Sequence, residues 1–526
     1  MRFLPVNHHS FMVELRNLEE TQELLRALHE NPLPGVEEII PAARTLLLRF
    51  TPEIVKAEIL ARQITRLDMN SARPLEGPLV EIPVAYDGED LPEVSTLTGL
   101  SVAEIIRRHG EAEYLVAFCG FAPGFGYLVG GDAALAVPRR KTPRTRIPAG
   151  AVALAGEFTG VYPSASPGGW QLIGTTPLKM WDLSRKPPAY FQPGYRVRFV
   201  NLASTKREFS IPTAPVVQAP EAKASAVQFT ILAAPLPALL QDLGRFGEAR
   251  QGVSISGALD LSALKSANRL VGNDEATPCL ELTGGISFRS SGAAVIGIAG
   301  APRGIRLHNA AGQVLRAGPY APIALEVGDE ITLAAPNAGM YSYLAVRGGF
   351  NVEKTLGSAS RDTLSDIGPE PVGAGCVLPV GEAANLTAVS LHEAPSFAFP
   401  KHGETVTLDL TLGPRTDWFT EEALEVLANT EWQVTPHSNR IGLRLNAATC
   451  LARIRMEELP SEAVTRGAVQ VPTDGKPLLF LADHPLTGGY PVIGVVTEYH
   501  LNLAGQIPVG AKIRFRPLAP FQDITP

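Results

Sequence analysis

Apolar and polar residues alternate in short segments along most of this chain, a pattern typical of β-strands. Near the N-terminus the apolar segments predict three strands, at residues 11–15, 36–40 and 46–50. Asn17, followed by Glu20 three residues later, is a capping pattern that predicts a helix between the first two strands. Thr51 and Pro52 predict the start of a second helix. The first 80 residues therefore predict a small α+β domain.

Three further helices are predicted from their end signals. Ser101 and Glu104 form a capping pattern for a helix that Gly110 is placed to end. Residues 260–271 predict a helix that ends at Gly272, and Thr420 predicts the cap of another helix. Elsewhere the apolar segments are short and are broken by Gly and Pro, so the chain predicts a mainly β fold with many turns.

One sequence pattern occurs twice, about 320 residues apart. The segment GGWQLIG at 168–174 is echoed by GGYPVIG at 488–494. A Gly-Ala-Val lies upstream of each copy, and a glycine followed by Val-Arg-Phe or Ile-Arg-Phe lies downstream of each copy. Repetition over so long a separation predicts two related domains rather than a short-period solenoid.

Length and composition set the number of domains and exclude some partners. The chain has 526 residues, of which 45% are hydrophobic and 19% are charged, and this length predicts three or four domains. The net charge of −7 gives no reason to expect nucleic acid or a membrane as a partner. The four cysteines are scattered without metal-ligand spacing, and the N-terminus has no signal-peptide pattern. We therefore expect a cytoplasmic protein with no metal site.

Breaks in composition divide the chain into four units. A segment rich in Pro and Ala, at 213–224, predicts a linker between two halves. A second break falls near residues 394–404. The predicted domains are therefore 1–80, 81–212, 225–395 and 400–526.

Two arginines in the first half are candidates for binding a substrate or phosphate. Arg144 and Arg146 lie two positions apart in an extended segment, so they share a face and can clamp a carboxylate or phosphate. A structural ion pair is the alternative for either residue. Gln171 follows Gly168-Gly169-Trp170, where glycine permits a close approach of a ligand, and a β-turn leading into a core aromatic residue is the alternative there.

The second half carries further candidates on loops. The ligand-binding candidates are Arg245, Asp260, Arg361 and Arg440. Asp260 has an alternative role as a helix cap. Asp483 and His484 are the catalytic candidates, because a histidine titrates near neutral pH and a neighbouring carboxylate tunes it. The sequence has no nucleotide-binding glycine motif of the GxxxxGK or GxGxxG type.

Long motifs identify a resemblance that covers nearly the whole chain. The motifs of the first half are GFAPGFGYL at 120–128, TPRTRIPAGAVALAG at 142–156 and SPGGWQLIGTTP at 166–177. Those of the second half are QDLGR at 241–245, GVSISGALD at 252–260, ANRLVGN at 267–273, LAVRGG at 344–349 and LADHPLTGGYPVIG at 481–494. The chain resembles a fusion of the B and C subunits of 5-oxoprolinase, also known as the KipI and KipA families and as allophanate hydrolase subunits 1 and 2.

The resemblance implies both a fold and an activity. It implies a small ferredoxin-like α+β domain followed by cyclophilin-like β-barrel domains. It also implies ATP-dependent conversion of 5-oxo-L-proline to L-glutamate with a separate 5-oxoprolinase A subunit of the LamB/YcsF-like type, with ATP and Mg²⁺ as cofactors. Phosphorylating the lactam oxygen would turn it into a leaving group before water attacks. Arg144 and Arg146 would then hold a carboxylate or phosphate, and His484 would move a proton.

Two other activities stay open at this stage. Similar domains occur in the carboxyltransferase part of biotin-dependent urea carboxylase, although this chain has no Ala-Met-Lys-Met biotin-attachment motif. A role in allophanate or urea metabolism is therefore the first alternative. A regulator of a histidine kinase, as in KipI-like and KipA-like proteins, is the second. A homo-oligomer is possible under each of these functions.

Overall fold

The computed structural model describes residues 1–69, 77–204, 226–384 and 386–526, and the predicted linker at 213–224 lies outside them. Within these ranges the prediction of a mainly β fold is confirmed, with an α+β part at the N-terminus and seven-stranded barrels. No helix of the described residues is long and apolar enough to cross a membrane.

The N-terminal part is an antiparallel sheet of strand order β1-β2-β4-β3 with two helices. Its elements are β1 Arg2–Asn7, β2 Ser10–Glu14, α1 Leu18–Glu30, β3 Val36–Pro41, β4 Thr45–Phe50 and α2 Ala57–Ile64. This ββαββα order differs from the βαββαβ order of a ferredoxin-like domain. Asn17 caps α1 as predicted, since its side chain accepts a hydrogen bond from the amide of Glu20.

The start predicted for the second helix is wrong by several residues. Helix α2 begins at Ala57, whereas residues 51–54 form a turn in which the amide of Ile54 donates to the carbonyl oxygen of Thr51. The amide of Thr51 is held 2.8 Å from the carbonyl oxygen of Gly35. This hydrogen bond joins the turn to the start of β3, so the helix starts only after the turn.

Both faces of this sheet are buried, which explains the runs of consecutive apolar residues in its two central strands, such as Leu46-Leu47-Leu48. Phe11 pairs with Leu48 beneath the two helices. Their neighbours Met12 and Leu47 pair on the opposite face, where they join a second core with Phe480 and other residues of the C-terminal barrel. Because side chains alternate along a strand, one sheet serves two cores.

Residues 77–204 form a seven-stranded sheet that is nearly closed into a barrel. The elements are β5 Leu79–Val84, α3 Leu91–Thr98, α4 Val102–Glu111, β6 Glu113–Cys119, β7 Gly126–Val129, β8 Arg144–Ile147, β9 Ala151–Ala155, β10 Phe158–Val161, β11 Ser166–Gly168, β12 Gln171–Thr175 and β13 Arg196–Asn201. The strand order is β12-β9-β10-β7-β6-β13-β5, and the amide of Ala85 donates to Thr175 to join the two edges. Strands β8 and β11 form a separate two-stranded antiparallel sheet.

Residues 226–384 form two facing sheets rather than a barrel. The elements are β14 Gln228–Ala233, β15 Leu239–Gln241, α5 Leu261–Val271, β16 Cys279–Leu282, β17 Ile286–Ser290, β18 Ala294–Gly300, β19 Ile305–His308, β20 Val314–Ala317, β21 Ile323–Leu325, β22 Glu330–Leu333, β23 Ser342–Val346 and β24 Val377–Pro379. The sheets have six and five strands, and apolar side chains from both fill the space between them. The predicted α5 is confirmed, with Asp260 as its N-cap and Gly272 at its end.

Residues 386–526 form a closed seven-stranded barrel. The elements are β25 Thr405–Leu412, α6 Glu421–Asn429, β26 Trp432–Val434, β27 Gly442–Asn446, β28 Glu462–Ala463, β29 Ala468–Gln470, β30 Leu478–Phe480, β31 Thr487–Gly488, β32 Val492–Val496, α7 Glu498–Gly505 and β33 Lys512–Pro517. Thr420 caps α6 as predicted. The barrel order is β25-β32-β29-β30-β27-β26-β33, and β28 and β31 form a separate two-stranded sheet.

The two barrels share one topology, which accounts for the repeated sequence. In each barrel the last strand runs parallel to the first, as β13 does to β5 and β33 does to β25. The first glycine of each diglycine lies in a two-stranded sheet outside the barrel, where Gly168 pairs with Arg144 and Gly488 pairs with Glu462.

Replacing Met12 by Asp tests the two-core description of the N-terminal sheet. Met12 is 1% exposed in the intact chain but lies on the face turned away from α1 and α2. Fragments 1–204 and 226–526 should co-purify when coexpressed, and Met12→Asp should abolish this association because it buries an unpaired carboxylate. Circular dichroism should show that the variant fragment 1–204 keeps its secondary structure.

The matched control is Met456→Asp, at a methionine that is 76% exposed. Normal co-purification of the Met12→Asp fragments would contradict the two-core description.

Candidate functional site

The two diglycine loops, residues 168–170 and 488–490, lie on opposite sides of one pocket between the barrels. The pocket has a volume of about 140 Å³, roughly that of a cavity that holds benzene. Its lining residues come from both halves of the chain: Phe121, Phe125, Tyr127, Arg139, Tyr162, Gly168, Gly169, Trp170, Ser461, Thr487, Gly488 and Gly489. We call it the central pocket.

A contact between the barrels fixes the back of the central pocket. The amide of Phe121 donates to Oγ1 of Thr487 at 3.0 Å. A Cβ at Gly120 would lie 2.4 Å from the same oxygen, so this position has no room for a side chain. Phe121 itself has a φ of 64°, a left-handed conformation that a bulky residue rarely adopts. Backbone strain of this kind occurs at functional sites, where the surrounding structure holds it in place.

Aromatic rings form one wall of the central pocket. Phe125 meets Trp170 edge to face, with 5.3 Å between ring centroids, and Tyr127 meets Trp170 at 5.6 Å. Burial raises the pKa of Tyr127 and of Tyr162 above the ordinary tyrosine value, so both phenols stay neutral. A wall of rings that touch edge to face leaves flat surfaces on which a small planar ligand can pack.

Arg139 carries the one formal charge among the described residues that line the pocket. Its Nη1 lies 2.9 Å from Oε1 of Glu458, and the two side chains are 38% and 62% exposed. The amide of the next residue, Arg140, donates to the carbonyl oxygen of Gly169 at 2.7 Å. Arg139 is therefore attached at its backbone to the first diglycine loop, while its guanidinium lies at the mouth of the pocket.

The predicted pair Arg144 and Arg146 separates into two environments. Arg144 donates to Oδ1 of Asp90 at 2.7 Å and forms an ion pair with Glu89. The hydrogen bond to Asp90 raises the pKa of Arg144 further above its ordinary value. The second oxygen of Asp90 accepts from the amide of Leu172 at 2.7 Å. Arg144 thus joins the two-stranded sheet of β8 and β11 to the barrel, as the structural alternative predicts.

Arg146 and Gln171 also lie outside the lining of the central pocket. Arg146 is exposed, and no ion pair or hydrogen bond joins its side chain to the described residues. Gln171 is buried, with Nε2 at 3.4 Å from the carbonyl oxygen of Pro138. Its Oε1 has no hydrogen-bond partner in the described part of the chain. The ligand-binding roles of both residues stay predictions.

Asp483 lies in a buried hydrogen-bond network between the two facing sheets of residues 226–384 and the second barrel. Its two oxygens accept from Nε and Nη2 of Arg440 at 2.9 and 3.0 Å, from Ser256 Oγ at 2.6 Å, and from the amide and hydroxyl of Thr363 at 2.9 and 2.7 Å. Arg440 also pairs with Glu281. Burial works to raise the pKa of Asp483, but Arg440 outweighs it and the pKa lies below its ordinary value. The carboxylate is thus charged and fully hydrogen-bonded.

His484 lies next to this network but has a different environment. Its Nδ1 is 2.9 Å from the carbonyl oxygen of Pro485, so Nδ1 carries the proton and Nε2 is the acceptor nitrogen. Burial lowers the pKa of His484 to about 4. The ring is therefore neutral near pH 7 and is a weaker base than an exposed histidine. Its catalytic role stays a prediction.

The other predicted ligands of the second half are also engaged in buried or paired contacts. Arg245 is 1% exposed and donates to the carbonyl oxygen of Ser360, while its Nε and Nη1 have no partner within the described ranges. Burial lowers its pKa. Arg361 pairs with Asp366. Asp260 caps α5 and accepts from Gln506 at 2.9 Å, while burial raises its pKa.

Arg139, Glu458 and Thr487 were not among the site residues predicted from the sequence. The glycine-rich segment 120–128 and both diglycine loops were singled out, and these segments line the central pocket. A usable signal for Arg139 was the basic run Arg139-Arg140-Lys141 immediately before the TPRTR motif. Only the packing of the two barrels shows that residues about 320 positions apart share one pocket.

The central pocket does not fit the predicted nucleotide. Sites for drug-sized ligands have volumes of about 300–1,000 Å³, and about 140 Å³ with one guanidinium is too small for ATP. The described residues hold no group of three or more His, Cys, Asp or Glu side chains placed to bind a metal ion. The volume of the central pocket is that of a ligand much smaller than ATP.

Family models match both halves of the chain. The model for the carboxyltransferase domain, subdomain C and D, matches residues 1–191, and the model for the carboxyltransferase domain, subdomain A and B, matches residues 251–517. The crystal structure of the protein TTHA0988 superposes with a TM-score of 0.81 at 34% identity, covering 96% of this chain and 99% of that protein.

Curated relatives match the two halves separately. The chain is 40% identical to the B subunit of 5-oxoprolinase from Bacillus subtilis over 34% of its own length and 80% of the relative. It is 34% identical to the C subunit of 5-oxoprolinase from Escherichia coli over 54% of its length and 89% of the relative. It is also 32% identical to urea amidolyase of Saccharomyces cerevisiae, over 52% of this chain and 16% of that much longer protein.

Replacing His484 by Gln tests the neutral, buried state of this ring. Since the folded-state pKa of about 4 is below the ordinary value of 6.5, the unfolded chain binds more protons between these values. His484 therefore contributes stability above pH 6.5, and this contribution is lost as the pH falls towards 4. The difference in free energy of unfolding between wild type and His484→Gln, measured by thermal denaturation, should therefore be roughly 1–3 kcal/mol smaller at pH 4.5 than at pH 7.5.

His308 is exposed and supplies the control, so His308→Gln should have the same free energy of unfolding as wild type at both pH values. A gap between His484→Gln and wild type that stays constant with pH would show that the ring is not held neutral by burial.

Proposed function

We propose that this chain, which belongs to the carboxyltransferase-domain family, acts as the B and C components of an ATP-dependent 5-oxoprolinase. Its two halves are similar to the B and C subunits of 5-oxoprolinase, which are joined here in one polypeptide. The proposed reaction converts 5-oxo-L-proline to L-glutamate and requires a separate 5-oxoprolinase A subunit. The observation that carries this proposal is the central pocket, which is lined by both halves and has the size of a five-membered ring.

The chemistry of 5-oxo-L-proline suits the residues of this pocket. The ligand is a small lactam with a planar amide, which packs against the aromatic wall. It also carries one carboxylate, which matches the guanidinium of Arg139. The glycines of the two loops leave peptide groups uncovered, so the backbone can approach the ligand closely.

Opening the lactam adds water to the ring carbonyl carbon, breaks its bond to nitrogen and leaves a second carboxylate and an amine. An amide is a poor electrophile, which explains the need for ATP in the complete enzyme. The predicted role of His484 in moving a proton is not part of this proposal, because His484 is not among the residues that line the central pocket. The central pocket holds the lactam, and the nucleotide is bound outside it.

Carboxyl transfer is the second candidate function. The family models are named for a carboxyltransferase domain, and urea amidolyase and urea carboxylase are among the relatives. The substrate would be a small amide such as urea, with biotin supplied on a separate carrier protein. The small volume of the central pocket suits urea as well.

Turnover with a 5-oxoprolinase A subunit tests the proposed function. ADP and glutamate should be released from ATP and 5-oxo-L-proline when this chain and the A subunit are both present, and not when either is omitted. Trp170→Leu should raise the KM for 5-oxo-L-proline about tenfold because it removes the aromatic face, a loss worth about 1.4 kcal/mol. Phe246→Leu, at a residue 58% exposed and outside the pocket, should leave the KM unchanged.

A folded pair without glutamate release would reject the oxoprolinase proposal. Transfer of a carboxyl group from carboxylated biotin carrier to urea, abolished by avidin, would support the second candidate instead.

A further inference from the structure

The ion pair between Arg139 and Glu458 lies at the central pocket and is open to solvent. Arg139 and Glu458 are 2.9 Å apart and both are partly exposed. Exposed ion pairs of this kind contribute little to stability, so another carboxylate can replace Glu458 at low cost. A Cβ at Gly489 would lie 3.8 Å from Nη1 of Arg139, which places the guanidinium beside the second diglycine loop.

The backbone of Arg139 is fixed although its guanidinium is not. Arg140, the next residue, donates from its amide to Gly169 and from its side chain to Asp90 and Glu93 at 2.7 and 2.8 Å. Among the described residues, the Arg139 guanidinium is paired with Glu458. The side chain therefore has unused donors on a fixed base, since a guanidinium has five N–H groups.

Glu458 lies in the segment 452–460, which contains no helix or strand. It begins after the buried Leu451 and reaches the pocket at Ser461. Between these ends the side chains of Ile454 and Met456 are 61% and 76% exposed. The backbone on both sides of Glu458 is anchored, since the amide of Ile454 donates to the carbonyl oxygen of Trp418 at 2.8 Å and Leu459 is 4% exposed in the core. The side chain of Glu458 is itself 62% exposed, so leaving Arg139 requires only a rotation of this side chain into solvent.

We propose that Arg139 recognises the carboxylate of the ligand and that Glu458 occupies the guanidinium until the ligand replaces it. The inference rests on the proposed function in that 5-oxo-L-proline carries one carboxylate on a five-membered lactam. The exchange replaces one carboxylate by another, so the charge balance at Arg139 is unchanged while the Glu458 side chain turns into solvent. The pocket then selects a small planar ring with one carboxylate over a neutral amide of the same size.

Calorimetric binding to the full chain tests this exchange with two probes, 5-oxo-L-proline and its neutral analogue 2-pyrrolidinone. Arg139→Gln should weaken binding of 5-oxo-L-proline about tenfold or more, and it should leave 2-pyrrolidinone unchanged. Glu458→Gln should tighten binding of 5-oxo-L-proline about two- to fivefold because the competing carboxylate is gone. Glu457→Gln is the matched control, since it removes the neighbouring exposed carboxylate and should have no effect.

Equal effects of Arg139→Gln on both probes would overturn the inference, as would equal affinities of the Glu458→Gln and Glu457→Gln variants. Failure of wild type and Glu458→Gln to bind 5-oxo-L-proline would also overturn it. Binding that depends on Arg139, in a complex with the A subunit that releases no glutamate, would support the inference and reject the proposed function. Turnover with binding that does not depend on Arg139 would do the reverse.

Discussion

The close approach of the Gly120-Phe121 backbone to Thr487 is the contact on which the site depends. It requires a position without a side chain at Gly120, since a Cβ there would lie 2.4 Å from Oγ1 of Thr487. The contact brings the diglycine loops of two related barrels to opposite sides of one pocket. Neither barrel contains the complete lining by itself, so the fusion of two subunit-like halves is also the assembly of one site.

Charged residues behind the pocket hold the loops in place. Arg144 pairs with Gly168 in one two-stranded sheet and is bonded to Asp90, while Glu462 pairs with Gly488 in the other and is bonded to Arg415. Burying such charges costs free energy that their partners offset, and removing one partner would leave an unpaired charge inside the protein. Arg139 differs from these residues because its guanidinium is exposed and its partner is exchangeable.

Local elements were predictable where their end signals act over a few residues, as at the caps of α1, α5 and α6. Helices α3 and α7 were missed, although Asp90 and Pro92 before and in the first turn of α3 and Gly99 at its end were usable sequence signals. The role of Arg144 depends on Asp90, 54 residues away, and no local pattern contains that information. The diglycine repeat is visible in the sequence. That its two copies line one pocket depends on how the barrels pack, which the sequence does not show.

A crystal structure of the chain with 5-oxo-L-proline would show whether the two barrels build a single site. We expect ligand density between the two diglycine loops, with the ring against Trp170, the carboxylate on Arg139 and Glu458 displaced. Ligand bound within one half of the chain, away from residues 168–170 and 488–490, would contradict a site shared by both barrels.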